Sequence, residues 1–500
     1  MTHAIPYESR LHPETRAFLR RLPGRLLIGG QWTPSVAGHT FTTYEPSTGR
    51  PLAEVYHAEA EDVDRAVAAA RAAFEGPWRK VTPLQRERLL HRLADLIEQN
   101  AQQLAEIETL DNGKPLSASK AIDVPSTVDM FRYFAGWPSK IEGAVKPVSI
   151  PNRLNYTVRE PVGVVGAIIP WNFPLSLISW KLGPALAAGN TVVLKPAEQT
   201  PLSAIRFCEL VCEAGFPEGV VNLVQGPGEI TGAALVAHAG VDKIAFTGST
   251  EVGRLIMKAA AGNLKRLSLE LGGKSPHIIF ADANVPQAAR VAAGAIFGNA
   301  GQSCNAGSRL FVQREAYDQV VEIIANRAAE IKVGPGMDAN TEMGPLTSLE
   351  HYQRVTGYLR SGLEEGAVAR AGGSRPAAVP PDGYFVAPTV FEHVRDDMAI
   401  VREEIFGPVL VATPFDTVEE VARRANATPY GLAAGVWTKD IGRAHKLASL
   451  LQAGTVWINC YSQFDPSSPF GGYKQSGFGR DMGHEALEQY LETKSVWVAM

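Results

Sequence analysis

From Tyr156 to Gly272 the chain alternates short β-branched runs with helical stretches of about ten to fifteen residues, and this alternation constrains the fold more than any other feature. Tyr156 to Arg159 and Val162 to Ile169 are rich in strand formers, and Leu175 to Ala188 reads as a helix. Thr191 to Leu194 follows Gly189 and Asn190 as a short buried strand. Thr200 and Pro201 predict a helix start, through a capping hydroxyl and a proline at the first helical position, and Gly215 predicts the stop. Val220 to Val224 and Lys243 to Phe246 read as the next strands. The pattern predicts an α/β fold with a doubly wound parallel sheet, which by default is a nucleotide-binding architecture.

After Gly272 the alternation continues, with Ile278 to Phe280 as strand, Val285 to Phe297 as helix, and Phe311 and Val312 starting another strand. A second α/β domain is expected there. Upstream, Asp62 to Glu75 repeats apolar residues at helical spacing, and Leu84 to Leu110 reads as one or two helices that stop at Asn112 and Gly113. The first hundred or so residues are expected to be mostly helical. No internal repeat or linker is visible, and Gly372 to Pro381 reads as a surface excursion.

Composition narrows the function. With 500 residues and a 45% hydrophobic fraction, the chain can bury the cores of two or three domains. Net charge is −4 without acidic or basic blocks, so neither nucleic acid nor a membrane surface is an expected partner, and a small molecule is. Met1 to Arg21 carries Glu8, Arg10, Glu14, Arg16, Arg20 and Arg21 and has no apolar core resembling a signal peptide. Nothing resembles the roughly 18 uninterrupted apolar residues of a membrane span. Four cysteines are too few for a secreted framework, which points to a reducing cytoplasm where free thiols can be tools. The Cys208 and Cys212 pair has no accompanying His or Cys cluster, so no metal is expected.

The dinucleotide fingerprint G-x-G-x-x-G is absent. Gly226-Pro227-Gly228 with Gly232 follows a strand and precedes a helix, where glycines let backbone approach a ligand. Gly477-Phe478-Gly479 with Gly483 lacks a preceding strand and reads as a turn. In FTGSTEVG, Gly248 to Gly253 lies between the strand ending at Phe246 and a helix starting near Glu251, so Ser249 and helix-end N–H groups could meet phosphate. Lys195 to Glu198 lies beyond the carboxyl end of an adjacent strand. A carboxylate there can accept from an adenosine ribose 2′-hydroxyl and would repel a 2′-phosphate; a solvated turn acid is the alternative.

Cys304 lies in GNAGQSCNAGSR, where small neighbours leave a thiol accessible. Cys208 and Cys212, with Ile205 and Val211, are read as one face of a helix, and Cys460 in WINCYSQF sits at a strand end. Glu270, in the mostly apolar run LSLEL, is expected to have its pKa raised by desolvation toward that of a usable base. Asn172, in IIPWNFP, can donate to a developing oxyanion. Thiolate, carboxylate and amide suit acyl chemistry, though spacing alone leaves their convergence open.

Eight blocks in order carry a resemblance. ETLDNGKP (Glu108 to Pro115), PWNFP, KPAEQTP, FTGSTEVG, LELGGKSP, GQSCNAGSR, EEIFGPV (Glu403 to Val409) and PFGGYKQSGFGR (Pro469 to Arg480) resemble the aldehyde dehydrogenase superfamily. The resemblance implies Cys304 as nucleophile, Glu270 as base, and Asn172 with the Cys304 backbone N–H as oxyanion donors. It implies NAD as cofactor. Lys195 and Glu198 would meet the adenosine ribose, Trp171, Gly248 and Ser249 the pyrophosphate, Gly228 the adenine, and Glu404 and Phe406 the nicotinamide end, with Ile168 also lining the cofactor. The implied fold has a Rossmann-type NAD-binding domain (1–139 and 161–271), an α/β catalytic domain (272–480) and a β-hairpin oligomerisation arm (140–160 and 481–500). A homodimer or homotetramer is expected, with Val496 to Val498 paired to another subunit; a strand folded back within one chain is the alternative.

The substrate positions implied are Phe173, Leu177, Trp180, Phe464 and Phe470, an aromatic and apolar lining suited to an aliphatic or arylalkyl aldehyde such as phenylacetaldehyde. Asp465 beside Phe464 leaves an aminoaldehyde or betaine aldehyde as the alternative. A cysteine-dependent esterase or thiol hydrolase is the rival class, and a CoA-acylating dehydrogenase is disfavoured by the presence of Glu270. Where the family often places a glutamate after the arginine of GFGR, Asp481 stands here. Its shorter reach argues against a direct relay through Lys181 and leaves a bridging water as the route.

Overall fold

A computed structural model of the chain describes residues 5–500. Strands Val164–Ile168, Thr191–Lys195 and Lys243–Thr247 are buried along their whole length. Such strands have to sit inside a sheet covered on both faces. They form the centre of an eight-stranded sheet whose order is Gly477–Phe478, Arg266–Glu270, Lys243–Thr247, Val164–Ile168, Thr191–Lys195, Val221–Leu223, Leu26–Ile28 and Gln31–Thr33. The five strands from Arg266–Glu270 to Val221–Leu223 are parallel, and the strands outside them are antiparallel. The chain runs outward in one direction from Val164–Ile168 and in the other from Lys243–Thr247. The order therefore reverses between these two strands, and ligands of open α/β sheets bind beyond the carboxyl ends at such a point.

A seven-stranded sheet takes Val368–Ala371, Thr389–Glu392, Val409–Phe415, Arg309–Gln313, Pro276–Ile279, Ala433–Trp437 and Thr455–Ile458 in that order, all parallel except the first. Helix Pro174–Ala188 is buried at every residue except Trp180, as its apolar composition on all faces requires, and it stops at Gly189 with φ of 94°. It lies under helix Val124–Ala135, and Phe131, Phe134, Ile178 and Leu182 share one core with the first sheet.

Five local expectations are corrected. Residues 26–56 are not helical: Leu26–Ile28, Gln31–Thr33, Thr40–Glu45 and Arg50–Tyr56 are strands, too short or too polar to announce themselves by periodicity. Thr200 does not cap helix Leu202–Ala214; its hydroxyl has no partner, and the buried Asp111 carboxylate accepts from Leu202 N at 2.8 Å instead. Cys208 is buried but Cys212 is exposed, so only Ile205, Cys208 and Val211 share the inner face. Gly477 and Phe478 are an edge strand paired with Glu270 and Leu269, not a plain turn. Finally, Val496 to Val498 pair with Leu154 to Tyr156 of the same chain, because the short helix Gly483–Glu488 delivers the chain end beside Pro161. Strand Leu491–Ala499 thereby joins Arg153–Pro161 and Val145–Lys146 in a three-stranded sheet.

Gly477 holds φ at 111°, and a Cβ there would collide with the carbonyl oxygen of Leu269, next to Glu270. Gly477→Ala is expected to lower stability by about 1–3 kcal/mol, read as a drop in thermal midpoint. An unchanged midpoint would contradict this reading of the edge strand.

Candidate active site

The reversal of strand order puts Ile168 at the end of one central strand and Gly248 and Ser249 just beyond the other. Ser249 caps helix Thr250–Ala260, its hydroxyl accepting from Val252 N at 3.2 Å. The first N–H groups of that helix have no intrahelical partner, which suits an anion. On the neighbouring strand the buried Lys195 ammonium meets the Glu198 carboxylate at 3.1 Å, while burial lowers the lysine pKa. Gly228 opens the segment Gly228–Gly232, and nothing lies within 4 Å of where its Cβ would stand. Ile230, Val252 and Leu255 remain exposed nearby, leaving apolar surface that a planar heterocycle would cover. A helix start for phosphate, a carboxylate beside a buried lysine, and an open apolar flank together fit a dinucleotide.

The cysteine loop begins where helix Val285–Phe297 ends. Asn299 and Ala300 take positive φ, and a Cβ on Gly301 would collide with the backbone of Gly407. The loop is thus pressed against the segment bearing Glu404 and Phe406. Gln302 anchors it further, since its side-chain oxygen accepts from Thr347 N at 2.9 Å. Its main-chain oxygen accepts from the Asn172 amide at 2.9 Å, and Asn299 donates back to Asn172 O at 3.0 Å. Asn172, from the first sheet, is therefore bound on both sides to the loop two residues before Cys304.

Glu270 ends its strand and is followed by Gly272 and Gly273. A Cβ on Gly273 would collide with the Cys304 carbonyl, and one on Gly272 with the Glu404 carboxylate. Glu404 in turn accepts from Gly273 N at 2.8 Å. Cysteine loop, base strand and Glu404 consequently meet around two glycines that only a missing side chain permits. Glu270 is buried with neither carboxylate oxygen hydrogen-bonded. Burial, reinforced by Asp481 and opposed by Lys181 and Arg480, raises its pKa well above the usual carboxylate range. Cys304 is half-buried, and its thiol is pushed up to about 12 by desolvation first and by the Glu270 and Glu404 carboxylates after it. Burial also lifts Glu404 to about 7.

Asp481 does reach Lys181. The two form a fully buried ion pair, and Asp481 exchanges both backbone hydrogen bonds with Phe470 at 2.8 Å. The expected gap closes because the backbone at residue 481 is drawn in beside Phe470, so a shorter side chain suffices.

Among the substrate positions, Trp180, Phe464 and Phe470 converge with ring centroids 5.5–6.0 Å apart, and Leu177 is buried beside them. Phe173 differs, because the Lys114 ammonium stands 4.4 Å from its ring centre and occupies one face. Sequence reasoning missed Trp457 and Tyr461, which complete the aromatic group. Tyr461 donates to Asn305 O at 2.7 Å and so fastens that group to the residue after Cys304. The quoted segment WINCYSQF held the signal in two aromatics flanking a strand end. His351 was also missed, and nothing local marked it. Its Nε2 bonds Phe406 O at 2.7 Å and its ring packs 4.9 Å from Trp171, while Phe406, at φ of 62°, meets Trp171 edge-on at 5.3 Å.

Among the described residues no group of three or more His, Cys, Asp and Glu side chains is placed to hold a metal ion, and no helix is long and apolar enough to cross a membrane. Residues 32–496 match the model of the aldehyde dehydrogenase family. The chain is 52% identical over 477 residues to the mitochondrial aldehyde dehydrogenase of Mesocricetus auratus, covering 95% of each. It superposes with a TM-score of 0.96 on the NAD+ complex of an aldehyde dehydrogenase from Bacillus cereus, at 52% identity, covering 98% of this chain and 99% of that one. The betaine aldehyde dehydrogenase of Staphylococcus aureus, also solved with NAD+, superposes at 0.95 with 42% identity, covering 98% and 97%. A doubly wound sheet with a dinucleotide crevice, a second sheet bearing a cysteine loop, and these likenesses place the chain in the aldehyde dehydrogenase family, as an enzyme that oxidises aldehydes with NAD.

Proposed function

We propose that the chain converts a hydrophobic aliphatic or arylalkyl aldehyde to its carboxylic acid through a covalent thioester on Cys304. The reading is supported above all by the Asn172 amide being hydrogen-bonded to Gln302, two residues from Cys304, while Gly273 packs against Cys304 from the Glu270 side.

The thiol is protonated at neutral pH, so it has to lose its proton to attack. Glu270, with a raised pKa and free oxygens, is the acceptor beside it. Attack makes the carbonyl carbon tetrahedral and its oxygen negative. One Asn172 N–H is engaged with Gln302, which leaves the second, with the Cys304 backbone N–H, to donate to that oxygen. When bound, NAD supplies the hydride acceptor, at a nicotinamide end held between Glu404, Phe406 and the cysteine loop. Departure of hydride from the tetrahedral carbon leaves the thioester on Cys304. Glu270, once it has given the thiol proton up to solvent, takes a proton from water as it adds to the thioester, and the tetrahedral adduct collapses to the acid with release of the Cys304 sulfur. Since neither Glu270 oxygen is hydrogen-bonded, a bridging water would carry its proton toward the buried Lys181–Asp481 pair.

The supports for a hydrophobic substrate are the ring cluster and the state of two charges. Asp465 is exposed and turned back onto Ser467, whose N donates to it at 2.9 Å, and Phe173 already carries the Lys114 ammonium. An added cation would find no free carboxylate in the ring cluster. The likeness to a betaine aldehyde dehydrogenase favours a second reading, in which the rings hold a quaternary ammonium.

We further assign 1–139 and 161–271 to NAD binding, 272–480 to catalysis, and 140–160 with 481–500 to an arm that joins a homodimer or homotetramer. Support comes from Val145, Trp497 and Val498, apolar side chains left exposed on the three-stranded sheet, and from Ile150 in the loop between two of its strands. Free cysteines throughout agree with a cytoplasmic location.

Cys304→Ala is expected to abolish NADH formation, and Asn172→Ala to lower kcat/KM by ~10²- to 10³-fold. Glu270→Gln should leave some acyl-enzyme formation but poor turnover. Because the raised carboxyl works as a base only when deprotonated, turnover of the native enzyme should climb as pH rises above the ordinary carboxylate range, and the glutamine variant should lose that climb. Normal turnover by it at neutral pH would remove Glu270 from its role.

A panel of phenylacetaldehyde, hexanal and betaine aldehyde, each assayed with NAD and with NADP, should give the highest kcat/KM for an uncharged aldehyde with NAD. An advantage of about a hundredfold or more for the cation would establish the second reading instead. Light scattering should report a mass two or four times that of the chain, falling when the arm's exposed apolar residues are made polar; a monomer for the native protein would refute the arm assignment.

A further inference from the structure

A cluster of buried charge lies on the side of Asn172 away from the cysteine loop, and the mechanism makes no use of it. Helix Ala101–Asn112 and the π-helical turn Ser119–Asp123 bring Glu108, Lys114 and Asp123 together. Lys114 Nζ lies 3.0 Å from Asp123 and 3.5 Å from Glu108, all three side chains at most 2% exposed. Asp111, also fully buried, adds a third acid. Burying such groups is expensive, and apolar residues of similar volume often serve stability as well or better. Holding the helices together is therefore a poor account of them.

Most of what they touch is the stretch that carries Asn172; Glu108 and Asp111 additionally accept from the Ser203 hydroxyl and from Leu202 N of the neighbouring helix. Asn112, at the end of the helix, donates its amide to Trp171 O at 2.7 Å and accepts from Lys114 N at 3.2 Å. Lys114 sits 4.4 Å over the Phe173 ring. Glu108 accepts from Leu175 N at 3.3 Å, and the Ser176 hydroxyl donates to Asp123 at 3.4 Å. Residues 171, 173, 175 and 176 are thus gripped from one side, and residue 172 by Gln302 and Asn299 from the other. Between the two grips the Asn172 amide donates to Gln302 O and keeps its second N–H to offer.

We propose that Asn112, Lys114, Glu108 and Asp123 act as a positioning group that fixes the direction of the Asn172 amide toward the reacting oxygen. The inference rests on Asn172 as the oxyanion donor. An amide aimed by backbone contacts on both flanks needs no reorganisation as charge develops, which is where such a donor gains its effect. Loosening the outer grip lets the amide drift, while the Trp171 ring stays held in the cofactor crevice by its packing on His351 and Phe406.

The test is a double-mutant cycle on the full-length enzyme, with kcat for phenylacetaldehyde and the dissociation constant for NADH measured for native, Asn112→Ala, Asn172→Ala and the double variant. Asn112→Ala should lower kcat by ~10- to 100-fold in the native background, leave NADH binding unchanged, and cost less than about twofold once Asn172 is already alanine. Lys114→Gln, which keeps a donor for Asp123 but removes the cation from Phe173, should give the same pattern and stands in if Asn112→Ala does not fold. An equal loss in both backgrounds would mean a general packing role and overturn the proposal. Should Asn172→Ala itself leave kcat unchanged, the oxyanion assignment falls, and the positioning group with it.

Discussion

The hydrogen bond from the Asn172 amide to the main-chain oxygen of Gln302 joins two halves of the molecule that share no β-ladder at that point. Asn172 belongs to the loop after a central strand of the first sheet, and Gln302 to the loop feeding the second. Both loops are irregular, and neither could hold a shape unaided. Strain is visible in the positive φ of Asn299, Ala300 and Gly301, and it persists because the loop is fixed on one side by Asn172 and on the other by Gly407. Chemistry placed at the meeting of two such loops inherits the rigidity of both sheets.

Desolvation dominates the electrostatics at this junction. The thiol lies in a site that is desolvated and carries two carboxylates, and each factor favours the protonated sulfur. The same burial keeps Glu270 ready to hold a proton. Sulfur and carboxylate are thus both raised, each chiefly by desolvation, and the Glu270 charge adds to the rise at the sulfur. Lys181 and Asp481 share the buried side of Glu270, where an ion pair can moderate its charge without hydrogen-bonding its oxygens.

Much of this was legible in the residues because some constraints are local. Strands such as Thr191–Lys195 are buried on both faces and read as continuous apolar runs, and helix ends at Gly189 and Gly215 follow from the left-handed conformation each adopts. The places of Ser249 at a helix start and of Glu198 beyond a strand end were visible because both follow from the local alternation of elements. The strands between Leu26 and Tyr56 were hidden, since two are pieces of three residues that carry no period and the other two, Thr40–Glu45 and Arg50–Tyr56, are broken up by polar residues. Tyr461 and His351 escaped for a related reason: each acts by touching a residue that the sequence places more than fifty positions away. Asp481 shows the converse error, in which side-chain length was weighed and the backbone's approach to Phe470 could not be.

The account stands on acyl transfer to one sulfur among four. Its most direct measurement is the mass of the Glu270→Gln enzyme quenched during reaction with an aldehyde and NAD, followed by peptide mapping. The acyl group should appear on the peptide carrying Cys304. An adduct on Cys208, Cys212 or Cys460, or none while NADH is still released, would contradict it.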